Sequence, residues 1–242
     1  MTDRPLDGRI AVVTGASRGI GYVLAREIAR AGAHVVAVAR TVGGLEELDD
    51  EIRGFGGHAT LVPLDLTDSE AIDRLGAALY ERHGRLDILI GNAGILGPIS
   101  PLGHVSPKDW DKVMALNVTA NWRLIRSLDP LLRRSDAGRA VFLTSGAAHR
   151  VRAYWGPYAI SKAALETMVE TWARESEITP IKANCLNPGP LRTAMRAQAM
   201  PGEDVETLDR PIVLVPSVMR LLSPALEISG RVFDHPSGDW IA

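Results

Sequence analysis

The chain has 242 residues, a formal net charge of −2, 46% hydrophobic and 23% charged residues, and a single cysteine, Cys185. That is a globular composition with enough chain to bury about 70% of its surface. It gives no electrostatic reason for a nucleic-acid or anionic-membrane partner and excludes both an intramolecular disulfide and a multi-cysteine metal cluster.

The N-terminus, Met1 to Pro5, reaches a strand-like run at residue 10 without an apolar segment of signal-peptide type, and no apolar stretch approaches 18 residues. A cytoplasmic enzyme is the expectation. From there short β-rich apolar runs alternate with longer helical patterns. Strands are predicted at 10–13, 35–38, 60–64, 86–90, 140–143, 181–186 and 231–233. Helices are predicted near 19–31, 43–53, 69–83, 107–133, 157–177 and 211–222. Near-continuous apolar strands separated by helices predict a parallel sheet covered on both faces, and right-handed crossovers make it doubly wound: an α/β, Rossmann-type sandwich. No linker, repeat or low-complexity tract divides the chain, so residues 1–242 read as one domain.

The first strand runs into Thr14-Gly15-Ala16-Ser17-Arg18-Gly19-Ile20-Gly21, which opens the first helix. Glycines here permit a tight turn and let backbone N–H groups approach a pyrophosphate at the positive helix end. Many strand-to-helix turns hold two glycines for steric reasons alone; the order strand, turn, helix, second strand favours dinucleotide binding. An enzyme selecting NAD(H) needs an acid near the end of the second strand for the ribose 2′-hydroxyl. The sequence offers Arg40 instead, with Arg18 in the loop. Guanidinium groups suit a 2′-phosphate, so the cofactor expected is NADP(H), with NAD(H) the weaker alternative.

Further along, Ser106-Pro107-Lys108-Asp109 reads as a helix start with a capping hydroxyl, a first-turn proline and an acid at the third helical position. Asn117 falls inside the predicted 107–133 helix, where asparagine is a poor former unless it has another task. Ser145 follows the fifth strand, at the sheet edge where open α/β folds carry their sites. Tyr158 and Lys162 stand one turn apart on the next helix, and Lys162 is one of only four lysines among 27 basic residues. A fixed positive charge there is expected to lower the Tyr158 phenol from its ordinary value near 10 and fit it for proton transfer. That helix is apolar around most of its girth: Ala164, Met168 and Trp172 form one row and Leu165, Val169 and Ala173 the next. Only Glu166, Glu170, Arg174 and Glu177 make a clearly polar row. The six histidines are scattered with no pair at helical ligand spacing, so no metal site is expected.

Taken in order, these motifs resemble the compact, single-domain short-chain dehydrogenases/reductases over nearly the whole chain. The matching residues are the glycine-rich turn, Asp65-Leu66, Asn92-Ala93-Gly94, Asn117, Ser145, Tyr158-x₃-Lys162, and Pro188-Gly189 with Thr193. The resemblance implies a seven-stranded, mostly parallel sheet. It also implies adenine contacts at Asp65 and Leu66, a cofactor contact at Asn92-Ala93-Gly94, and a bond from Lys162 to the nicotinamide ribose. Asn117 is implied to hold a water beside Lys162, and Pro188, Gly189 and Thr193 to embrace the nicotinamide. The catalytic set is then Asn117, Ser145, Tyr158 and Lys162, transferring a hydride between NADP(H) and a small to medium hydrophobic carbonyl compound or secondary alcohol. An epimerase or dehydratase of the same family, or a dinucleotide-binding sensor or scaffold without turnover, are the alternatives. Family geometry places Ile95, Leu96, Ala147, His149, Trp155, Pro190, Leu191 and Met195 around the substrate, with His149 either a polar pocket group or a solvated loop residue. A homo-oligomer, dimer or tetramer, is implied through the 107–133 and 157–177 helices; burial of the two-sided helix under the chain's own loops is the alternative. The C-terminal run Asp234-His235-Pro236-Ser237-Gly238-Asp239-Trp240 departs from the family pattern.

Overall fold

A computed structural model describes residues 4–241; Met1–Asp3, where the reading of the N-terminus begins, and Ala242 lie outside the described residues. All seven apolar runs are strands, each within two residues of its expected place: β1 Ile10–Thr14, β2 His34–Ala39, β3 Ala59–Pro63, β4 Ile88–Gly91, β5 Arg139–Leu143, β6 Lys182–Asn187 and β7 Val232–Asp234. They lie parallel in the order β3-β2-β1-β4-β5-β6-β7. In register, Val12 sits between Val36 and Leu89, and all three are buried. Strands this apolar need cover on both faces. One face packs α1 (Gly19–Arg30), α2 (Val42–Gly54) and α8 (Val215–Leu222), through Leu24, Leu48 and Leu221. The other packs α3 (Ser69–His83), α5 (Ala120–Leu132) and α6 (Gly156–Glu175), through Leu75, Leu124 and Leu165.

The sheet has eight strands among the described residues, which corrects the expected seven. β8 (Asp239–Ile241) pairs antiparallel with β7 after a turn closed by Gly238 N–H donating to the Asp234 carbonyl, 2.9 Å. Trp240 packs edge-on to Phe233, ring centroids 5.3 Å apart, and so joins the departing C-terminus to the core.

The predicted 107–133 helix is also corrected. It is α4 (Pro107–Met114) and α5, joined by a π-helical turn at Ala115–Thr119. Ser106 caps α4, its Oγ accepting from Asp109 N–H at 3.1 Å, as expected from the sequence. At the π turn the extra residue frees a carbonyl, and the Asn121 amide donates to the Asn117 oxygen at 2.8 Å. Such turns concentrate at functional sites, and this one carries Asn117. Residues 211–222 begin as a 3-10 turn, Pro211–Leu214, before α8, and α7 (Ala194–Ala199), unpredicted, is capped by Thr193. In α6 the Leu165-Val169-Ala173 row is core, as is Trp172, whose Nε1 donates to Asp129 Oδ1 at 2.8 Å.

Candidate active site

The strand order reverses between β1 and β4, and ligands of open α/β sheets bind in the crevice this opens at the carboxyl ends. The turn after β1 sits there. Thr14 is fully buried; its Oγ1 donates to the Ile90 carbonyl and accepts N–H of Asn92 (2.9 Å) and Ala93 (3.1 Å). The Asn92 side chain donates to the carbonyl of Thr14 at 2.8 Å. Asn92 therefore holds the loop with its amide. Gly21 is required by close approach: a Cβ there would lie 2.3 Å from the Gly15 oxygen. A Cβ at Gly19 would meet nothing within 4 Å, and no side chain caps the first turn of α1. A rigid loop, an open concavity and uncapped N–H groups fit a pyrophosphate. Ser17 is pinned from the other side by α2, where a Cβ at Gly44 would come within 2.5 Å of the Ser17 oxygen.

Beyond the loop, Arg18 and Arg40 are both exposed. Arg40 Nη1 lies 3.6 Å from Asp65 Oδ2, a loose surface pair that a bound anion can displace. The Asp65 carboxylate also accepts the N–H and hydroxyl of Thr67, which hold it below the ordinary carboxylate range. Leu66 is core, so only its backbone faces this edge.

At the other side of the crevice the four proposed catalytic residues come together. Asn117 is fully buried. Its Oδ1 accepts from Ile95 N–H (2.9 Å), and its Nδ2 donates to the Ile95 carbonyl (2.9 Å) and to Ser161 Oγ (3.0 Å). Ser161 Oγ in turn donates to the Tyr158 carbonyl at 2.8 Å. Lys162 is buried with its Nζ donating to the Leu143 carbonyl at 2.6 Å and 5.8 Å from the centre of the Tyr158 ring. A Cβ at Gly94 would stand 3.2 Å from Asn117 Oδ1 and 3.6 Å from Lys162 Nζ, so the loop that leaves β4 passes close to both. Ser145 Oγ accepts from Ala147 N–H at 3.2 Å. That contact occupies an acceptor position and leaves the hydroxyl proton to the Tyr158 side, where its hydrogen bond opposes the rise of the phenol.

The electrostatics reverse the expectation for the tyrosine. Burial pushes the Tyr158 phenol above its ordinary value, with the Ser145 side chain pulling the other way, and burial pushes Lys162 down to about 8. Desolvation disfavours both charged forms. The sequence spacing gives the proximity of the two groups, but how dry they are depends on α4, the π turn and the loops above.

The profile of the short chain dehydrogenases matches residues 9–204. The chain belongs to the short-chain dehydrogenases. It is 38% identical to the uncharacterised oxidoreductase YciK of Escherichia coli (strain K12) over 237 residues, 96% of this chain and 94% of that one. A solved structure from Pseudomonas syringae, assigned to the same family, superposes with a TM-score of 0.93 at 38% identity, covering 96% of each chain. Another, from Escherichia coli CFT073 in complex with NADPH, gives 0.90 at 37% identity, covering 97% of this chain and 99% of that one.

In this dehydrogenase the proposed nicotinamide strap leaves β6 at Pro188-Gly189. Asn187 Oδ1 accepts N–H from both Gly146 (2.9 Å) and Gly189 (3.2 Å), tying the strap to the Ser145 turn, and Asn187 Nδ2 donates to Asp234 Oδ1 at 2.6 Å. Thr193 Oγ1 accepts from Arg196 N–H at 3.2 Å, and Arg196 pairs bidentately with Glu203. Of the residues expected around the substrate, Ile95, Ala147, Trp155 and Met195 are part-exposed and Pro190 is exposed, while Leu96 and Leu191 are buried, Leu191 within the core. His149 is an exposed turn residue whose Nε2 is nonetheless engaged, 2.9 Å from Glu166 Oε2. Sequence reasoning missed Ser161, Asn187 and Glu166. Glu166 had a signal, standing one helical turn beyond Lys162 on the same face. Among the described residues no helix is long and apolar enough to cross a membrane.

Proposed function

We propose that this dehydrogenase transfers a hydride between NADP(H) and the carbon of a carbonyl or secondary alcohol, with Tyr158 as proton donor and acceptor. The observation that carries the reading is the meeting of Ser145, Tyr158, Lys162 and Asn117 at the carboxyl edge of the sheet, across a crevice from an uncapped glycine-rich loop. The nicotinamide, when bound, supplies or accepts the hydride. Gly15, Ser17, Gly19, Ile20 and Gly21 take the pyrophosphate, and Arg18 and Arg40 the 2′-phosphate. Asp65, Leu66, Asn92, Ala93 and Gly94 line the adenosine side, and Pro188, Gly189 and Thr193 the nicotinamide side. Ser145 donates to the substrate oxygen and fixes its orientation. Tyr158, protonated at neutral pH, gives its proton to that oxygen during reduction. Lys162 binds the ribose and stabilises the phenolate left behind, and Asn117 holds the floor beneath it. Ile95, Trp155 and Met195 favour an apolar carbonyl substrate.

Exposed Arg40 at the end of β2, with no acid beside it in sequence, and exposed Arg18 in the glycine-rich loop support NADP(H), as does the NADPH complex of the Escherichia coli CFT073 relative. The test is a panel of aldehydes and ketones followed at the nicotinamide absorbance with NADPH and NADH. We expect kcat/KM to favour NADPH at least tenfold and Arg40→Asp to remove that preference, about 1.4 kcal/mol or more of differential binding. A wild type that favours NADH overturns the cofactor assignment; no turnover with any member of the panel overturns the reaction.

Trp122 on α5 and Ile160 on α6 are 46% and 39% exposed, and large apolar side chains left open on these helices support assembly of copies of this chain. Light scattering is expected to give two or four times 26.1 kDa. A monomer at micromolar concentration would contradict it.

A further inference from the structure

Glu166 has no place in the chemistry above, yet it is held from both sides. Its side chain is 13% exposed, and no guanidinium among the described residues pairs with it. Oε1 accepts a short hydrogen bond from Thr144 Oγ1, and Oε2 meets His149 Nε2 at 2.9 Å. Thr144 is the residue before Ser145. His149 closes the 3-10 turn Gly146–Ala148 that follows it. One carboxylate therefore grips both ends of the segment that presents the Ser145 hydroxyl. Within that segment Ala148 N–H donates to the Ser145 carbonyl (2.9 Å) and Arg150 N–H to the Gly146 carbonyl (2.9 Å). On the opposite side Asn187 Oδ1 holds the turn by accepting from Gly146 N–H, and the Leu186 carbonyl accepts from Thr144 N–H at 2.9 Å.

We propose that Glu166 is a positioning residue: its carboxylate clasps Thr144 and His149, sets where the Ser145 hydroxyl points, and releases the turn when it takes up a proton. The proposal rests on the hydride-transfer reading for its kinetic consequence, but not for the clasp itself. With Thr144 Oγ1 donating to one oxygen, and His149 donating to the other when its proton is on Nε2, the clasp uses both acceptors. A carboxylate offers two such oxygens; a carboxylic acid spends one of them on its own proton. The groups that face Glu166 are Lys162 on its own helix, Thr144 and His149 from β5 and its turn, and Cys185 from β6. Burial raises the Glu166 carboxyl above the usual carboxylate range, while Thr144, His149 and Lys162 oppose the rise. The clasp therefore opens as pH falls, at a pH above that of an ordinary glutamate. A turn displaced by a fraction of an ångström misdirects Ser145, and misplacement on that scale is costly to rate rather than to binding.

The experiment compares wild type with Glu166→Ala, Glu166→Gln, His149→Ala and His149→Gln, each shown to be folded by circular dichroism. Glu166→Ala is expected to lower kcat about tenfold with the NADPH Kd unchanged within twofold. Glu166→Gln fills the same volume with one acceptor oxygen and no titrating group, so kcat should sit at the lowered level of the released turn at every pH, and the fall on the acid side of the wild-type profile should vanish. His149→Ala should lose several-fold in kcat, and His149→Gln, which retains a donor, should recover most of it. Hydrogen–deuterium exchange supplies a readout independent of turnover: amides 146–150 should exchange faster in both alanine variants and not elsewhere. If Glu166→Ala does not fold, the His149 pair carries the same comparison. Wild-type kcat with unchanged exchange in the alanine variants overturns the proposal, as does an acid limb that survives in Glu166→Gln. Accelerated exchange in a protein that turns over no carbonyl would overturn the hydride-transfer reading and leave the clasp standing.

Discussion

Tyr158→Phe is expected to lower turnover about 10³-fold while the protein stays folded and binds NADPH within about threefold of wild type. Tyr158 is 8% exposed and lies edge-on to Trp155, ring centroids 6.2 Å apart. Phenylalanine fills the same volume in the same contact. The backbone is held independently, by Ser161 Oγ donating to the Tyr158 carbonyl and by Asn117 behind Ser161. The substitution therefore removes the phenol O–H, with its hydrogen bond to Ser145, and leaves the packing in place. In the proposed chemistry the substrate oxygen then keeps its hydrogen bond from Ser145 but receives no proton, and water reaches so enclosed a position poorly. Steady-state rates with NADPH and a responsive aldehyde, read beside a fluorescence titration of the cofactor, separate the two effects. A variant retaining more than a tenth of wild-type kcat would remove Tyr158 from its role. Loss of NADPH affinity in parallel with kcat would make the residue a binding group instead.

The elements that the sequence made legible share one physical origin. β1, β2 and β4 to β7 are largely buried, so each reads as an apolar run regardless of what surrounds it, β3 at the sheet edge keeps the pattern while only half-buried, and flanking helices follow from their length. β8 has no such signature. Three residues around Trp240 become a strand only because β7 offers an edge and Phe233 offers a ring. The π turn at Ala115–Thr119 is equally silent in periodicity, although Asn117 was conspicuous as a poor helix former. Tyr158 and Lys162 were legible because a helix fixes the geometry of residues four apart. Their protonation was not, because burial depends on residues distant in the chain, among them Gly94 and Asn117. Glu166 shows the same division. Helical spacing puts it on a row with Glu170 and Arg174, which form an exposed pair. Only the fold brings Thr144 and His149 over the first member of that row and turns a solvated glutamate into a held one.

Lys162→Met is expected to cost activity and raise the stability of the cofactor-free protein together. Lys162 is buried, and its one hydrogen bond goes to the neutral Leu143 carbonyl. Its ammonium is therefore poorly compensated, which is why it is pushed from 10.5 to about 8. The unfolded chain titrates at the ordinary lysine value. Between about 8 and 10.5 the unfolded state holds a proton that the folded state has released, so stability rises with pH across that window. Below 8 both states are protonated and the folded protein bears the whole cost, on the order of 3 kcal/mol. Methionine has nearly the same length and no charge to bury, and loses one hydrogen bond worth about 1 kcal/mol. The net gain of about 2 kcal/mol should raise the Tm of the cofactor-free variant by roughly 4–8 °C at pH 7. The gain should shrink as pH approaches 10. With the proposed ribose contact and the proposed stabilising charge for the phenolate both removed, NADPH binding should weaken about 10- to 100-fold and kcat fall at least 10²-fold. Thermal melts at pH 7 and pH 10, with and without NADPH, give the comparison: the cofactor should stabilise wild type more than the variant. A variant that melts lower than wild type at pH 7 would mean that Lys162 is structural ballast, whereas a higher Tm with lost turnover marks a charge kept in a dry place for the reaction it serves.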